Sequence, residues 1–155
     1  MKVVIVDDSA LLRQRLAAMI SRLPGVEIAG EAKSAAQALE LIRRCHPEAV
    51  VLDIRLNDGN GFDVLRQVKR EPGAPVVIML TSFPSTKARQ TCQALGGDFF
   101  FDKATEFQKA LEVLTDMELK QRKHASSGGN KAARTGVWSM SNPKMVARYG
   151  RHNQT

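Results

Sequence analysis

No stretch of this sequence approaches the roughly 18 consecutive apolar residues of a membrane-spanning helix. The chain also reads from Met1 straight into a short apolar run, without the charged, apolar and small-residue succession of a secretory signal. A cytoplasmic protein without membrane contact is expected. Cysteine is scarce: Cys45 and Cys92 both lie in segments with helical patterning, and nothing around them has the ligand spacing of a zinc site. Both are expected as free, buried thiols. Aromatic residues make up only 5% of the chain, but 43% of it is hydrophobic, so 155 residues suffice for one ordinary core. There is no internal repeat, and no acidic residue follows Glu118. Eight cations do follow, at Lys120, Arg122, Lys123, Lys131, Arg134, Lys144, Arg148 and Arg151, so the net charge of +7 leaves residues 1–119 at −1. The basicity thus belongs to the end of the chain. Residues 1–120 are expected as one domain. Residues 121–155, with Gly, Ser and Asn clusters and no sustained apolar period, are expected as a flexible, disordered basic tail.

What the sequence does contain is a repeated alternation. Val3–Val6, Ala49–Leu52 and Val76–Leu80 are continuous apolar runs rich in β-branched residues, as in strands buried on both faces. Val26–Ala29 and Asp98–Phe101 make two shorter strands, the latter with three phenylalanines that must point to alternate faces. Between them lie helical patterns: Leu11 to Ile20; a second opened by a Ser34-x-x-Gln37 capping box; a third marked by Phe62, Leu65 and Val68; Ser85 to Leu95; and a fifth opened by Thr105-x-x-Gln108. Five strands alternating with five helices predict an α/β, doubly wound parallel sheet, because parallel neighbours need crossover helices and these pack on both faces.

Sites in such sheets lie outside the carboxyl ends of the strands. Asp7 and Asp8 end the first strand, Asp53 ends the third, Thr81 ends the fourth and Lys103 follows the fifth. Like charges about 4 Å apart repel by about 4 kcal/mol at an effective dielectric near 20, so three carboxylates here need a counter-ion. An all-oxygen donor set with room for water suits Mg2+, and Mn2+ also fits. With a lysine and a threonine hydroxyl facing them, the carboxylates suit phosphoryl transfer, in which Asp53, already ionised, is the nucleophile. Lys103 neutralises the phosphoryl oxygens and Thr81 donates a hydrogen bond to one of them.

These segments, "VIVDDSA", "VVLDIRLNDGNG", "IMLTS" and "FFFDKATEF", resemble the receiver domain of two-component response regulators over about residues 1–120. The resemblance implies a flavodoxin-like (βα)5 sheet of strand order 2-1-3-4-5. It further implies phosphorylation of Asp53 by a histidine kinase or phosphotransfer protein. Metal would be held by Asp8, Asp53 and the backbone carbonyl of Arg55, and by Asp7 through water. Thr81 and Phe100 would be the switch pair, with an output protein meeting the face of the fourth helix, fifth strand and fifth helix. Arg55 and Phe83, two residues beyond Asp53 and Thr81, take positions that flank the path of attacking water in the family. The chain departs from the family pattern at three places. Asn57 and Ala104 replace prolines, and Phe100 lacks a tyrosine's hydroxyl. The bond from Lys103 to Ala104 is expected to be trans, because a cis bond before a non-proline residue costs about 2.5 to 4 kcal/mol.

On this reading the protein is not an enzyme: it works by changing its surface and turns over no substrate. One rival is an aspartate-nucleophile phosphatase of the haloacid-dehalogenase type, but that family has a D-x-D nucleophile on its first strand, and here the acids are adjacent. The other is a truncated or tail-mediated nucleic-acid-binding transcription regulator. The tail has no helix-turn-helix pattern, yet Trp138 and Tyr149 among its lysines and arginines suit a weak nucleic-acid contact.

Overall fold

The computed structural model describes residues 1–127. In chain order these form β1 (Lys2–Val6), α1 (Ala10–Ile20), β2 (Glu27–Ala32), α2 (Ala35–Cys45), β3 (Ala49–Leu52), β4 (Arg55–Leu56), β5 (Gly59–Asn60), α3 (Gly61–Val68), β6 (Val76–Thr81), α4 (Thr86–Ala94), β7 (Phe99–Asp102) and α5 (Phe107–Ser126). Five of the strands make one parallel sheet in the order β2-β1-β3-β6-β7, while β4 and β5 pair separately as an antiparallel hairpin. With that hairpin set aside, the order is the expected 2-1-3-4-5.

The central strands β1, β3 and β6 are buried on both faces, which is why their sequences are unbroken apolar runs. Helices α1 and α5 cover one face, where Leu16, Ile20, Ala110 and Leu114 pack with Val3, Ile5 and Ile78. Helices α2, α3 and α4 cover the other, where Leu41, Leu65 and Cys92 pack with Val4, Val50 and Met79. The three phenylalanines of β7 divide as alternation requires: Phe99 and Phe101 enter the first core and Phe100 the second. Cys45 and Cys92 are both free, Cys92 buried and Cys45 half-buried. Burial pushes the Cys92 thiol up to about 12, so it remains protonated.

Three details differ from the sequence expectation. The second strand starts one residue later and runs to Ala32, because it pairs with β1 up to Val6↔Ala32 across an irregularity between Val3 and Val4. As a half-exposed edge strand it tolerates Gly30 and Glu31, which do not read as a strand. Helix α5 begins at Phe107, after Glu106, without a side-chain cap. The Thr105 hydroxyl instead donates to Asp102 Oδ2 at 3.2 Å, so the capping box does not form. At its other end α5 runs on to Ser126, past residue 120. The remainder of the expected basic tail, including Trp138 and Tyr149 and the nucleic-acid contact assigned to it, lies outside the described residues. Among the described residues no helix is long and apolar enough to cross a membrane.

The strand order sends β1 into α1 on one face of the sheet and β3 into α3 on the other. Their carboxyl ends therefore border the crevice where sites form in such sheets. Gly61 closes this region from below: its amide donates to Ile54 O at 2.7 Å, and a Cβ there would lie 2.0 Å from the carbonyl oxygen of Asp53. Gly61→Ala should therefore cost about 1 to 3 kcal/mol, since backbone must move to admit the methyl group. Urea unfolding of the two proteins measures this; equal midpoints would show that the loop yields freely.

Candidate functional site

Asp7, Asp53, Thr81 and Lys103 arrive from four different strand ends and meet at one edge of the sheet. Asp7 is only 1% exposed. Its amide donates to Ala32 O at 3.0 Å, and its Oδ1 accepts the Ser9 amide at 2.9 Å, so the side chain faces inward at the turn into α1. Asp8 is exposed, and Ser9 rather than Asp8 caps α1, accepting the Leu12 amide. Asp53 continues β3 with a bond from its amide to Val6 O at 2.9 Å, and its Oδ1 accepts the Ile54 amide at 2.7 Å. One oxygen from each of Asp7, Asp8 and Asp53 lies within 4.8 Å of the others.

The counter-charge arrives across the sheet. The Lys103 amide donates to Thr81 O at 2.9 Å, fixing the turn after β7. The side chain then buries its stem and donates from Nζ to Asp53 Oδ2 at 2.8 Å and to Asp7 Oδ2. No cis peptide bond occurs among the described residues, so Lys103–Ala104 is trans, and the lysine still reaches both carboxylates. Thr81 is fully buried, and its Oγ1 accepts the Phe83 amide at 3.1 Å. Above it the Arg55 guanidinium lies 3.6 Å from the centroid of the Phe83 ring, a stacked pair joining the loops that follow β3 and β6. Phe100 is 2% exposed and already turned inward, with Arg89 stacked 4.8 Å from its ring centroid and donating to its carbonyl at 3.0 Å.

Sequence reasoning missed Arg13, whose Nη1 donates to Asp7 O at 2.6 Å while its Nε faces Glu31 at 3.6 Å. It lies six residues beyond Asp7, on the face of α1 turned toward that strand end, and this spacing was the signal available.

Burial pushes the Asp53 carboxyl above the ordinary aspartate value, and the charge of Asp7 adds to this. The hydrogen bond and charge of Lys103 and the Ile54 amide act the other way without cancelling it. A carboxyl raised on folding favours the fold below its ordinary value, and that contribution is lost as pH rises through the raised value. Ionised Asp53 is thus held at a cost to stability that a divalent cation would relieve. The donor set fits one: hard oxygens, two strand ends, and an exposed member, Asp8, on the solvent side. In metal-free protein, NMR titration of the Asp53 carboxyl should give a midpoint above that of ordinary aspartates, and Mg2+ should draw it down. A midpoint at or below the ordinary value would contradict this electrostatic account.

Against known proteins, the family model for the response regulator receiver domain matches residues 3–115. The chain is 37% identical over 94 residues to protein-glutamate methylesterase/protein-glutamine glutaminase from Pyrococcus horikoshii, covering 61% of this chain and 25% of that protein. It is 32% identical over 142 residues to the protein of the same name from Treponema denticola, covering 86% of this chain and 38% of the relative. Among solved structures, the signal receiver domain of the response regulator NarL from Mycobacterium tuberculosis superposes with a TM-score of 0.70 at 25% identity, covering 76% of this chain and 94% of that one. The chain thus spans between a quarter and two fifths of the length of these two relatives. These names correct one expectation, that the protein is not an enzyme: both relatives are named as enzymes. The physical reason is that the strand-end acids, lysine and threonine make up a chemistry of their own. They carry no signal about what the rest of a polypeptide does.

Proposed function

The chain belongs to the response regulator receiver family, and on that premise we propose that it accepts a phosphoryl group on Asp53 and transmits its presence through the loops and helices around the site. Receiver domains of this family interact with histidine kinases and output domains. The observation that carries the reading is the Lys103 ammonium, which spans from the end of β7 to Asp53 and Asp7. A donor phosphohistidine of a kinase or phosphotransfer protein is attacked at phosphorus by a carboxylate oxygen of Asp53. The new O–P bond forms as the P–N bond breaks, and the imidazole leaves with the electron pair and takes its proton from solvent. No general base is required, because the attacking carboxylate carries no proton to remove.

The charge that gathers on the phosphoryl oxygens is met by Lys103, which need only exchange one carboxylate partner for the phosphoryl group. It is met also by the Thr81 hydroxyl, turned from the Phe83 amide toward the site. Mg2+ or Mn2+ held by Asp8, Asp53 and the Arg55 carbonyl oxygen, and by Asp7 through water, would supply further neutralisation of those oxygens. Engagement of Thr81 withdraws the acceptor of the Phe83 amide and so loosens the loop before α4. Phe100 starts from the inward position, so the change is read at the face of α4, β7 and α5 mainly through that loop. This face is where we place the output partner.

Two experiments test the reading. Incubated with a small acyl phosphate and Mg2+, the protein should gain one phosphoryl group by intact-mass spectrometry, and Asp53→Ala should gain none; uptake that persists in the variant would move the site elsewhere. The Arg55 and Phe83 side chains stack on each other over the loops that follow β3 and β6, and we propose that this pair screens the phosphoryl group from part of the solvent, so the acyl phosphate should be long-lived. Phe83→Ala should shorten its half-life, as expected if the aromatic ring screens the phosphoryl group from water. An unchanged decay rate would remove Phe83 as the barrier.

A further inference from the structure

We infer that Asp58, outside the acidic cluster, is a positioning residue for the proposed metal site: it ties the loop that follows Asp53 to the N-terminus of α2. This rests on the assignment of the metal to Asp8, Asp53 and the Arg55 carbonyl. Helix α2 has no acidic residue in its first turn, and its Ser34 cap satisfies only the Gln37 amide, at 3.2 Å. The amides of Ala35 and Ala36 remain, and both donate to the carboxylate of Asp58, 23 and 22 residues away: Ala35 to Oδ1 at 2.6 Å and Ala36 to Oδ2 at 3.1 Å. A carboxylate that takes two free amides at a helix N-terminus is bound by charge-assisted bonds and by the helix dipole together. Those bonds from Ala35 and Ala36 hold the Asp58 carboxyl below the usual aspartate range.

The position of Asp58 in the chain gives this anchor its consequence. Asn57 and Asp58 form the tip of the β4–β5 hairpin, whose register pairs Arg55 with Asn60 and Leu56 with Gly59. At the base of the hairpin, the Gly61 amide closes on Ile54 O, and Asn60 caps α3 by accepting the Phe62 amide at 2.8 Å. The segment from Asp53 to Gly61 is therefore fixed at its base by internal bonds and at its tip by Asp58. Arg55 lies between the two anchors. With asparagine instead of proline at position 57, the chain has no ring to stiffen this turn, and the bond from Asp58 to α2 provides the constraint from outside. The orientation of the Arg55 carbonyl, and with it the third protein oxygen offered to the cation, depends on that tether. The same tether joins the loop to the turn that follows β2, and the last residue of that strand, Ala32, holds the amide of Asp7 through its carbonyl.

The test uses the full chain, with Mg2+ alone as the probe. Calorimetric titration should show Asp58→Ala binding Mg2+ roughly tenfold more weakly, the loss typical when a residue orienting metal ligands is removed. Asp58→Asn, whose Oδ1 still accepts one amide, should recover part of it. In metal-free protein, hydrogen exchange should quicken together at residues 35–37 and 54–60 in Asp58→Ala. A variant that melts at lower temperature yet binds Mg2+ like the parent would make Asp58 a cap of α2 only and overturn the proposal. If the parent itself binds no Mg2+, the metal assignment fails, and exchange confined to residues 35–37 then overturns the tether as well.

Discussion

The ion pair from Lys103 to Asp53 and Asp7 is the interaction on which the rest of the site depends. Three carboxylates gathered at two strand ends repel one another, and burial raises the cost for the two that are withdrawn from water. One ammonium, delivered by the turn after β7, offsets part of this repulsion. The remaining formal charge is −2, which one divalent cation would neutralise. The strand order is what makes this possible. Only a sheet that brings the carboxyl ends of β1, β3, β6 and β7 to one edge sets Lys103 opposite acids 96 and 50 residues away in sequence.

Around that pair the loops are coupled in a definite way. Thr81 holds the Phe83 amide, and Phe83 stacks with Arg55. Arg55 belongs to a hairpin pinned at its base by Gly61 and at its tip by Asp58. A change at the Thr81 hydroxyl can therefore alter the loop before α4, while the loop after Asp53 stays anchored to α2. On the face formed by α4, β7 and α5, Arg89 lies over Phe100 and faces Glu106 at 3.7 Å, joining the three elements. Phosphorylation would thus be read through loop order more than through a swing of the aromatic ring.

Much of this was legible in the sequence, for physical reasons that differ from place to place. The central strands could be read because burial on both faces permits nothing but apolar residues, and the site acids because an aspartate ending such a run has no core to enter. β2 was misplaced at its ends because an edge strand is free to carry Gly30 and Glu31. The start of α5 was misread because the Thr105 hydroxyl has a competing acceptor in Asp102. The β4–β5 hairpin could not be read at all, since two-residue strands carry no period. Arg13 and Asp58 act through contacts that exist only once the chain is folded. The receiver residues also say nothing about enzymatic activity elsewhere in a polypeptide: the two relatives that share this pattern are named as enzymes, and this chain spans no more than two fifths of their length.

The central claim is that Lys103 is the internal counter-ion of the acidic cluster, occupying carboxylate oxygens that a metal would otherwise meet with its full attraction. Its most direct test is the Mg2+ dissociation constant of Lys103→Met, measured by calorimetry beside the parent at the same pH and ionic strength. Removing the ammonium leaves the three carboxylates uncompensated, so the variant should bind Mg2+ more tightly than the parent. Weaker or equal binding would contradict the account, because Lys103 would then be helping to build the cation site instead of sharing its charge.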